Sequence, residues 1–521
     1  MAKYLISRLL RGLFSIAVVV CIVMVLVFSC IDRNQIFVMD PNFSHHKLNN
    51  KEIYKLQQWE KYGYIDYVTY DEYVNSLGLE ESERKTAIQL GLTADKDNKT
   101  AKIYIEQFKQ EYSAKGFRIE RLEGIAKSGT KKPTEGGKPH LYAVRDVPIT
   151  NRIATYFGNL ISFDNIHYAK GDVGERGLSF TLYDPAYGGE KFSPAIMGNG
   201  TKHKYLFYIN DEFPYIQQNL ITVNLGTSFV KDRGNDVFKT LTTAQGGQKF
   251  SQVTYPTGLS EQSADNLHSA TYVQGSLEKD PLIAGKRYVD DYTNVTLSKD
   301  GFSRLGYSFI IGIISVIMSY LLAVPLGTLM ALKKDKLIDK LGTLYIIFII
   351  AVPSLAYIFM FKAIGQSIGL PTIFDTVNPT WKMYILPIVS LALPSVAGLM
   401  KWLRRYMIDQ MNSDYVKFAR SNGLSEGEIF SKHILKNAII PIIHGIPGSV
   451  LGALVGAIIT ERVYAVPGAG NILTEAINSY DNGVIVGVTL FYALLSVVSI
   501  IFGDILMSMV DPRINFSSKA R

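Results

Sequence analysis

Long apolar runs alternate with polar stretches along the chain. One run covers residues 13–31, and five more follow at residues 306–331, 341–364, 384–402, 439–461 and 484–510. At about 1.5 Å per helical residue, runs of this length suit a hydrocarbon core of about 30 Å. The third run contains Pro353, and the fourth contains Pro387 and Pro394. Membrane helices tolerate proline where neighbouring groups satisfy the freed carbonyls. The pattern predicts six transmembrane helices.

The first apolar run has two interpretations. Lys3, Arg8 and Arg11 precede it, as basic residues precede the apolar region of a signal peptide. A signal peptide has a short apolar region that ends at a small-residue cleavage site. This run keeps bulky side chains to its end, and Phe28-Ser29-Cys30 is not a convincing cleavage site. We therefore interpret the run as a retained transmembrane helix.

The short loops between the apolar runs differ in charge, and this difference predicts an orientation. Two loops are basic, and their basic residues are Lys333, Lys334, Lys336, Lys340, Arg404, Arg405, Lys417, Arg420, Lys432 and Lys436. The opposite loops offer only Lys382 and Arg462. Because lysine and arginine accumulate in cytoplasmic loops, the two basic loops and both termini are predicted to be cytoplasmic. The segment 32–302 is then extracellular.

The segment 32–302 has the pattern of a folded α+β domain. It contains no cysteine and holds 20 of the chain's 31 tyrosines. Apolar residues at Ala101, Ile105, Phe108 and Tyr112 share one face of a helix that Asp97 or Asn98 could cap. Residues 178–183 alternate like a strand. Tyrosine is ambiguous here, because it fills small cores and also populates binding surfaces.

Composition excludes several classes of function. The net charge of +8 is explained by basic residues that flank the apolar runs, so nucleic acid is not an expected partner. Gly136-Gly137-Lys138 lacks the first glycine of a phosphate-binding loop, and no nucleophile motif is present. His45 and His46 have no spaced carboxylate that would suggest a metal site. We therefore predict no catalytic residue, no metal and no cofactor in this chain.

The loop before the fifth run is the most informative part of the sequence. Residues 412–421 suit a helix, Gly423 allows a left-handed end, and Ser425 can cap a second helix that begins with Glu426 and Glu428. Such a pair of helices either presents a ridge to a partner protein or lies against anionic lipid. The spacing alone leaves these two interpretations open.

This loop resembles a known family. Residues 414–424 have the pattern Asp-Tyr-Val-x-x-Ala-Arg-x-x-Gly-Leu, and residues 433–438 have His-x-Leu-x-Asn-Ala. These patterns resemble the coupling loop of ABC-importer permeases of the oligopeptide and dipeptide group. Residues 225–229 (Leu-Gly-Thr-Ser-Phe), 461–464 (Glu-x-Val-Tyr) and 467–470 (Pro-Gly-x-Gly) also match that family. The whole chain, with its large segment after the first helix, is most similar to Ami-type permeases of streptococci.

The resemblance implies a fold, a role and a set of partners. The fold is the type I ABC-importer permease fold with six transmembrane helices and an extracellular α+β domain inserted between helices 1 and 2. The chain would form half of an oligopeptide pathway in the plasma membrane of a Gram-positive bacterium. Its partners would be a homologous second permease, two cytoplasmic ATPase subunits that bind ATP and Mg, and a lipid-anchored peptide-binding protein. ATP hydrolysis would belong to those partner subunits.

The resemblance also assigns residues. The ATPase-coupling residues would be Asp414, Tyr415, Ala419, Arg420, Gly423, Leu424, His433 and Asn437, with Ala419 on the docking face. Lys417 and Phe418 depart from the Glu-Ala that opens the wider importer motif. This departure weakens inferences about substrate class from that motif alone.

Two intramembrane features complete the prediction. Asp504 lies near the cytoplasmic end of the sixth run, where a structural ion pair with Arg8 or Arg11 is the favoured interpretation over a transport role. Gly445, Gly448, Gly452 and Gly456 form a stripe that suits close helix packing, within this chain or against a partner, or a pathway lining.

The predicted organisation has four parts. They are the N-terminus with helix 1 (1–31), the extracellular insertion (32–302), the permease core with its coupling loop at about 405–438 (303–512), and a cytoplasmic tail (513–521). The alternatives from other classes are a membrane-anchored receptor whose outer domain carries the function and an ion-coupled transporter.

Overall fold

The computed structural model describes residues 2–93, 99–126, 134, 136–166, 175–184, 187–209, 215–230, 233–254, 260–263, 265–266, 296–297 and 299–510. Helices follow the apolar runs, and the segment between the first two runs contains both helices and strands. The fold is therefore the predicted one, a helical membrane protein with an α+β region inserted after the first helix.

The helices outside the insertion are α1, α9 to α20 and one π-helix. Those that precede the coupling loop are α1 (Ala2–Cys30), α9 (Arg304–Leu332), α10 (Leu337–Ala351), α11 (Ser354–Ser367) and α12 (Lys382–Met411). The coupling loop and the region beyond it contain α13 (Asp414–Ser421), α14 (Glu426–Glu428), a π-helix (Ile429–Leu435), α15 (Lys436–Ala438), α16 (Ile440–His444), α17 (Ile446–Gly456), α18 (Ile458–Tyr464), α19 (Gly470–Asn478) and α20 (Asn482–Val510).

The third apolar run is the place where the predicted span needs correction. It is two helices, α10 and α11, which meet at Pro353 with a bend of 111°. Proline lacks the amide hydrogen that a helix uses at interior positions, so it kinks or breaks a helix unless neighbouring groups compensate. Pro387 and Pro394, in contrast, lie inside the continuous helix α12. Within the described residues, five helical stretches can cross a membrane by length and composition, and the count is six if the bent pair is one span. One of the five is the run Glu426–Leu454, which extends from α14 into α17.

The bent pair still carries the chain from one side of the helical core to the other. The amide of Phe374 donates to the Tyr464 carbonyl at 2.9 Å, and Lys362 Nζ donates to the Val463 carbonyl at 2.7 Å. These partners lie at the end of α18, near the start of α9. We call this the insertion side, since the inserted segment ends at α9. The ends of α9 and α12 then lie on the opposite side.

The described part of the insertion contains eight helices or helical turns and thirteen short strands. Its helices are a 3-10 turn (Arg33–Phe37), α2 (Pro41–His45), α3 (Asn49–Lys61), α4 (Tyr70–Ser76), α5 (Glu81–Thr93), α6 (Lys99–Ala114), α7 (Ile149–Gly158) and α8 (Val237–Thr242). Its strands are β1 (Ile65–Thr69), β2 (Arg118–Leu122), β3 (His140–Asp146), β4 (Ile161–Phe163), β5 (Gly177–Thr181), β6 (Ala195–Asn199), β7 (Tyr205–Ile209), β8 (Ile216–Gln218), β9 (Ile221–Val223), β10 (Ser251–Thr254), β11 (Ser260–Ser263), β12 (Asp265–Asn266) and β13 (Thr296–Leu297).

The strands form small antiparallel sheets. One sheet has the order β1-β3-β2 and another has the order β5-β6-β7-β8, while β4-β9, β10-β11 and β12-β13 are pairs. The predicted helix at 101–112 is α6, and Phe108 is fully buried in it; the proposed caps Asp97 and Asn98 lie outside the described residues. The predicted strand is β5, but Leu178 and Phe180 are exposed, so it does not contribute one buried face.

Most described tyrosines of the insertion fill its cores. The buried ones are Tyr62, Tyr64, Tyr67, Tyr70, Tyr73, Tyr142, Tyr205 and Tyr208. Rings pack edge to face, as for Tyr70 and Phe108 with centroids 5.7 Å apart. This favours the structural interpretation of the tyrosine content, with exceptions such as Tyr215, which is 62% exposed.

Residues 225–230, which we call the latch segment, join the insertion to the transmembrane helices. Asp481, only 2% exposed, accepts hydrogen bonds from the Ser228 hydroxyl at 2.6 Å and the Phe229 amide at 2.8 Å. A third comes from the Val230 amide at 3.2 Å. Asp481 immediately precedes α20, and Leu225 packs into the core that α1 and α20 share. The latch segment therefore belongs physically to the permease core, although it lies inside the predicted insertion 32–302.

Close backbone contact at the latch segment requires glycine in α20. A Cβ atom at Gly483 would lie 1.9 Å from the Thr227 carbonyl oxygen, and one at Gly487 would lie 2.5 Å from the Leu225 carbonyl oxygen. No side-chain adjustment relieves either contact, because both obstacles are backbone atoms.

We predict that Gly483→Ala destabilises the protein by about 1–3 kcal/mol, the usual cost of overpacking a rigid site. The purified protein should show a lower Tm and faster proteolysis of the insertion. Gly398→Ala is the matched control, since Gly398 also lies in a membrane helix and a Cβ atom there would meet no described atom within 4 Å. Equal Tm values for the two variants would contradict the tight contact.

Candidate functional site

The site begins with α13, an eight-residue helix that buries one face and exposes the other. Val416 is fully buried and Ala419 is 5% exposed, whereas Phe418 is 68% exposed. Tyr415 is 36% exposed, and its hydroxyl donates to Gln410 Oε1 at 2.6 Å. The expectation that Ala419 lies on a docking face is therefore wrong, because Ala419 faces the core beneath the helix. The exposed aromatic ridge is formed by Tyr415 and Phe418.

The turn after α13 has the geometry that the sequence predicts. Gly423 has φ +80°, and the amide of Leu424 donates to the Ala419 carbonyl at 3.3 Å, closing the helix end. Ser425 then caps α14, and the Glu428 carboxylate accepts a hydrogen bond from the Ser425 amide. Such reciprocal capping fixes the direction in which the second helix leaves the turn.

Ion pairs brace the turn from outside. Arg420 contacts Glu426 through two hydrogen bonds of 2.6 and 3.1 Å, and this contact raises the pKa of Arg420. Lys417 lies 2.9 Å from Asp414 and lowers the pKa of that carboxyl group through its hydrogen bond. Both pairs are exposed, so each contributes little stability and mainly restricts side-chain geometry.

A compact apolar core supports the ridge from below. Its fully or nearly fully buried members come from the ends of α9 and α12 and from the coupling loop, namely Ala331, Leu403, Met407, Val416, Ala419, Ile429, Phe430, Ile434, Ala438 and Ile442. His433 and Asn437 lie half-buried on the helical run that begins at α14. The π-helix at Ile429–Leu435 adds a residue within one turn, a feature that is frequent at functional sites. The ridge therefore shares one buried core with the end of α12.

A buried ion pair joins the neighbouring helices at the same end. Arg404 on α12 donates two hydrogen bonds to Asp339 in the first turn of α10, at 2.5 and 2.6 Å. The Asp339 side chain is 4% exposed. Arg404 is one of the basic-loop residues that the charge pattern singles out, whereas Asp339 belongs to no motif. Its signal in the sequence is a single acid at the start of an apolar run, next to a basic loop.

The acid in the sixth span has the structural role that the sequence analysis favours. Arg8 Nη2 lies 2.8 Å from Asp504 Oδ2, and the Tyr4 hydroxyl donates to the same oxygen at 3.1 Å. Arg11 instead contacts Ser7. The start of α1 and the end of α20 therefore lie side by side.

The glycine stripe does not pack closely against this chain at its middle positions. Cβ atoms at Gly448 and Gly452 would meet no described atom within 4 Å, whereas one at Gly445 would lie 3.3 Å from the Ile442 carbonyl oxygen. Gly456 is the last residue of α17. Packing of Gly448 and Gly452 inside this chain is excluded for the described residues. Contact with another protein and a pathway lining both stay open.

On the insertion side, Glu461 organises the turn between α18 and α19. Its carboxylate accepts from the Ser308 hydroxyl at 2.6 Å, and Ser308 Oγ accepts from the Ala469 amide at 2.8 Å. A Cβ atom at Gly468 would overlap the Glu461 carboxylate, so the Pro-Gly-x-Gly pattern has a steric reason. Ser308, which the sequence analysis missed, links this turn to α9.

Comparisons with known proteins identify a family model and several relatives. A family model described as the binding-protein-dependent transport system inner membrane component matches residues 323–516. The oligopeptide transport system permease protein AmiC of Streptococcus pneumoniae is 34% identical over 526 residues, covering 100% of this chain and 99% of that protein. The dipeptide transport system permease protein DppB of Lactococcus lactis is 31% identical over 224 residues, covering 43% of this chain and 73% of that protein.

A solved structure described as an amino acid ABC transporter with histidines covers 40% of this chain and 92% of its own at 17% identity, with a TM-score of 0.32. Of these three proteins, AmiC is the one whose similarity extends through the inserted segment.

We predict opposite effects for two glycine-to-alanine changes in the coupling loop. A Cβ atom at Gly423 or Gly427 would meet no described atom within 4 Å, so the effect of each change on stability depends only on the backbone conformation. Gly423→Ala should destabilise the loop by about 1 kcal/mol, because φ is positive there. Gly427→Ala should stabilise it slightly, because the residue is helical. Hydrogen exchange of residues 414–438 measures both, and faster exchange in Gly427→Ala alone would contradict the prediction.

Proposed function

This chain belongs to the permeases of ABC importers, the inner membrane components of binding-protein-dependent transport systems, and we propose that it forms half of an oligopeptide pathway. Such permeases are transport components rather than enzymes. The full-length similarity to an oligopeptide permease, insertion included, supports the substrate class. A receptor or envelope-interaction protein would not need the braced loop that closes the opposite end of the helices.

The observation that carries the proposal is the braced aromatic ridge. Phe418 projects from a helix whose other face is locked onto the end of α12. An exposed, rigidly held aromatic side chain is typical of a residue that inserts into a pocket of a partner protein. The partner we propose is a cytoplasmic ATPase subunit, which would bind ATP with Mg and move the ridge, and with it α12.

The remaining partners follow from this role. A second, homologous permease would complete the pathway, a second ATPase subunit would sit beneath it, and a lipid-anchored peptide-binding protein would deliver the peptide. Gly448 and Gly452, whose Cβ positions are open among the described residues, would face the second permease or the pathway. No ATP-binding residues are proposed in this chain.

The orientation we propose has both termini and the ridge in the cytoplasm and the insertion outside. The Arg8–Asp504 contact places the start of α1 beside the end of α20, as an even number of spans requires. The lysines and arginines of the two basic loops provide the charge asymmetry. We propose the plasma membrane of a Gram-positive bacterium as the location, because AmiC, a relative that is similar over the full chain, is from Streptococcus pneumoniae.

The ridge is tested by Phe418→Ser in the importer assembled with its ATPase subunits. Peptide uptake and ATPase-subunit retention should fall at least about tenfold, because the aromatic contact is lost. The Tm of the isolated chain should barely change, since Phe418 is exposed. Phe192→Ser, at 60% exposure in the insertion, is the matched control for ATPase-subunit retention. Normal uptake by Phe418→Ser would show that this ridge does not couple the ATPase.

The orientation is tested by labelling single cysteines with an impermeant maleimide in a Cys21→Ala, Cys30→Ala background. Ser82→Cys in the insertion should react on intact cells, because Ser82 is exposed. Gly427→Cys is also exposed but should react only after permeabilisation. Labelling of Gly427→Cys on intact cells would reverse the proposed orientation.

A further inference from the structure

A cavity of about 720 Å³ lies where the insertion meets the outer ends of α1 and α20. Its membrane-side wall includes Met24 and Phe28 of α1 and Val486 of α20, and its upper wall comes from β1, α7 and the latch segment. A cavity of this volume is within the range of small-molecule sites. The mechanism of coupling described above does not use it.

One wall of the cavity is the open edge of a sheet. β1 is at the end of the order β1-β3-β2, and four consecutive β1 residues, Ile65–Val68, line the cavity. Successive side chains of a strand point to opposite faces, so four in a row indicate that the cavity runs along the edge. The Val147 amide donates to the Tyr64 carbonyl at 3.0 Å, and the register pairs Ile65 with Asp146. In an antiparallel pair this leaves the N–H and C=O groups of Ile65 and Tyr67 directed to the open edge.

A second wall holds a cation that lies against aromatic rings. The Arg152 guanidinium is 3.8 and 4.1 Å from the ring centroids of Phe28 and Tyr64. The guanidinium interacts with the Tyr64 hydroxyl, but its Nη2 atom is buried and has no hydrogen-bond partner among the described residues. The same holds for the Tyr62 hydroxyl. Both residues line the cavity. Buried polar groups normally have partners, so this pair indicates that a polar ligand completes the site.

The cavity also carries the opposite charge. Glu60 lines it, and burial, together with the charges of Glu72 and Asp66, raises the pKa of its carboxyl group. Asp66, which also lines the cavity, is paired with Arg145 at 2.6 Å, so Glu60 is the described carboxylate best placed to meet a ligand. Besides the Asp66–Arg145 pair, the site therefore offers the Arg152 guanidinium, the Lys61 ammonium, the Glu60 carboxylate and a free strand edge.

We propose that this cavity binds a short extended peptide, whose backbone pairs with the open edge of β1 and whose terminal carboxylate lies against Arg152. Addition of a strand to an exposed edge is a recurring mode of peptide recognition, and guanidinium groups bind carboxylates through paired hydrogen bonds. Glu60 then suits the ammonium or a basic side chain of the peptide. The proposal rests on the peptide-import function proposed above and adds a site on the insertion side.

A phospholipid headgroup shares the anionic chemistry but fits the walls less well. An anionic headgroup would meet Lys61 and Arg152 but also Glu60, and a strand edge offers nothing to an acyl chain. A peptide can use the β1 edge, the Arg152 cation and the aromatic walls together. Binding of a lipid headgroup in its place is one outcome that the test distinguishes.

The test uses the full chain in phosphatidylcholine nanodiscs, without a peptide-binding protein, and isothermal titration with Ala-Phe-Ala-Phe-Ala. The free-acid peptide should bind, and the C-terminal amide should bind at least about tenfold more weakly, because the charged hydrogen bonds to Arg152 are lost. The same peptide with alternate N-methyl amides should lose binding, because it cannot pair with β1. These three titrations use the native protein, so they do not depend on the folding of a variant.

Variants then locate the carboxylate. Arg152→Gln should reproduce the loss for the free acid and abolish the difference between acid and amide. Arg152→Lys should retain part of the affinity for the free acid and part of the difference between acid and amide. Arg118→Gln is the matched control, because Arg118 is an exposed arginine of the same sheet that does not line the cavity.

Two results would overturn the proposal. Equal binding of acid and amide by the native chain would remove the carboxylate site. Loss of peptide binding when phosphatidylglycerol replaces phosphatidylcholine, with Arg152→Gln insensitive to the exchange, would assign the cavity to a lipid headgroup. Measuring uptake by the assembled importer distinguishes failure of this site from failure of the proposed importer function. Uptake without carboxylate-dependent binding rejects this site alone. Binding without any ATP-dependent uptake rejects the importer function and leaves the site.

Discussion

The buried carboxylate of Asp481 is the interaction on which the joint between the two parts of the chain depends. An ionised carboxylate removed from water costs several kcal/mol unless hydrogen bonds replace its hydration. The latch segment supplies those hydrogen bonds from one hydroxyl and two backbone amides, while Gly483 and Gly487 let its backbone touch α20. Without the latch segment, the Asp481 carboxylate would lose these three donors, and without Asp481 the donors would lose their acceptor. The insertion is therefore attached to the last transmembrane helix as well, although the sequence connects it directly only to the first and second spans.

At the other end of the helices, the coupling loop is held in place by a different set of contacts. The coupling loop is fixed by a left-handed glycine turn, a capping box and a shared apolar core with α12. The Arg404–Asp339 pair then fastens α12 to α10. Buried contacts therefore connect the exposed ridge to two membrane helices, and under the proposed function a displacement of the ridge would be transmitted to both. This matters because rigid elements with few arrangements carry energetic coupling between distant sites.

The sequence predicted those features that depend on local chemistry. Apolar length located the spans, and Gly423 with Ser425 predicted the turn and cap, because backbone sterics and end-group hydrogen bonding act over a few residues. Features that depend on distant neighbours were not predictable. Pro353 breaks its span while Pro387 and Pro394 do not, since the outcome depends on packing around each proline. Ala419 was placed on the wrong face because its partner, the end of α12, is known only from the fold. Asp481, Ser308 and Asp339 are single polar residues without a motif, and only their partners identify them.

The bend at Pro353 has a consequence for the surrounding lipid. α10 has 15 residues before the bend, which corresponds to a length of about 22 Å, less than a hydrocarbon core of about 30 Å. Lipids beside this helix meet an apolar surface that is too short for them, and hydrophobic mismatch of this kind is relieved by local thinning of the bilayer or by tilt. α12, with 30 residues, imposes no such thinning. The apolar surface of the protein therefore differs in height between α10 and α12. If two conformations differ in the angle between α10 and α11, the acyl-chain length of the lipid should change their relative free energy.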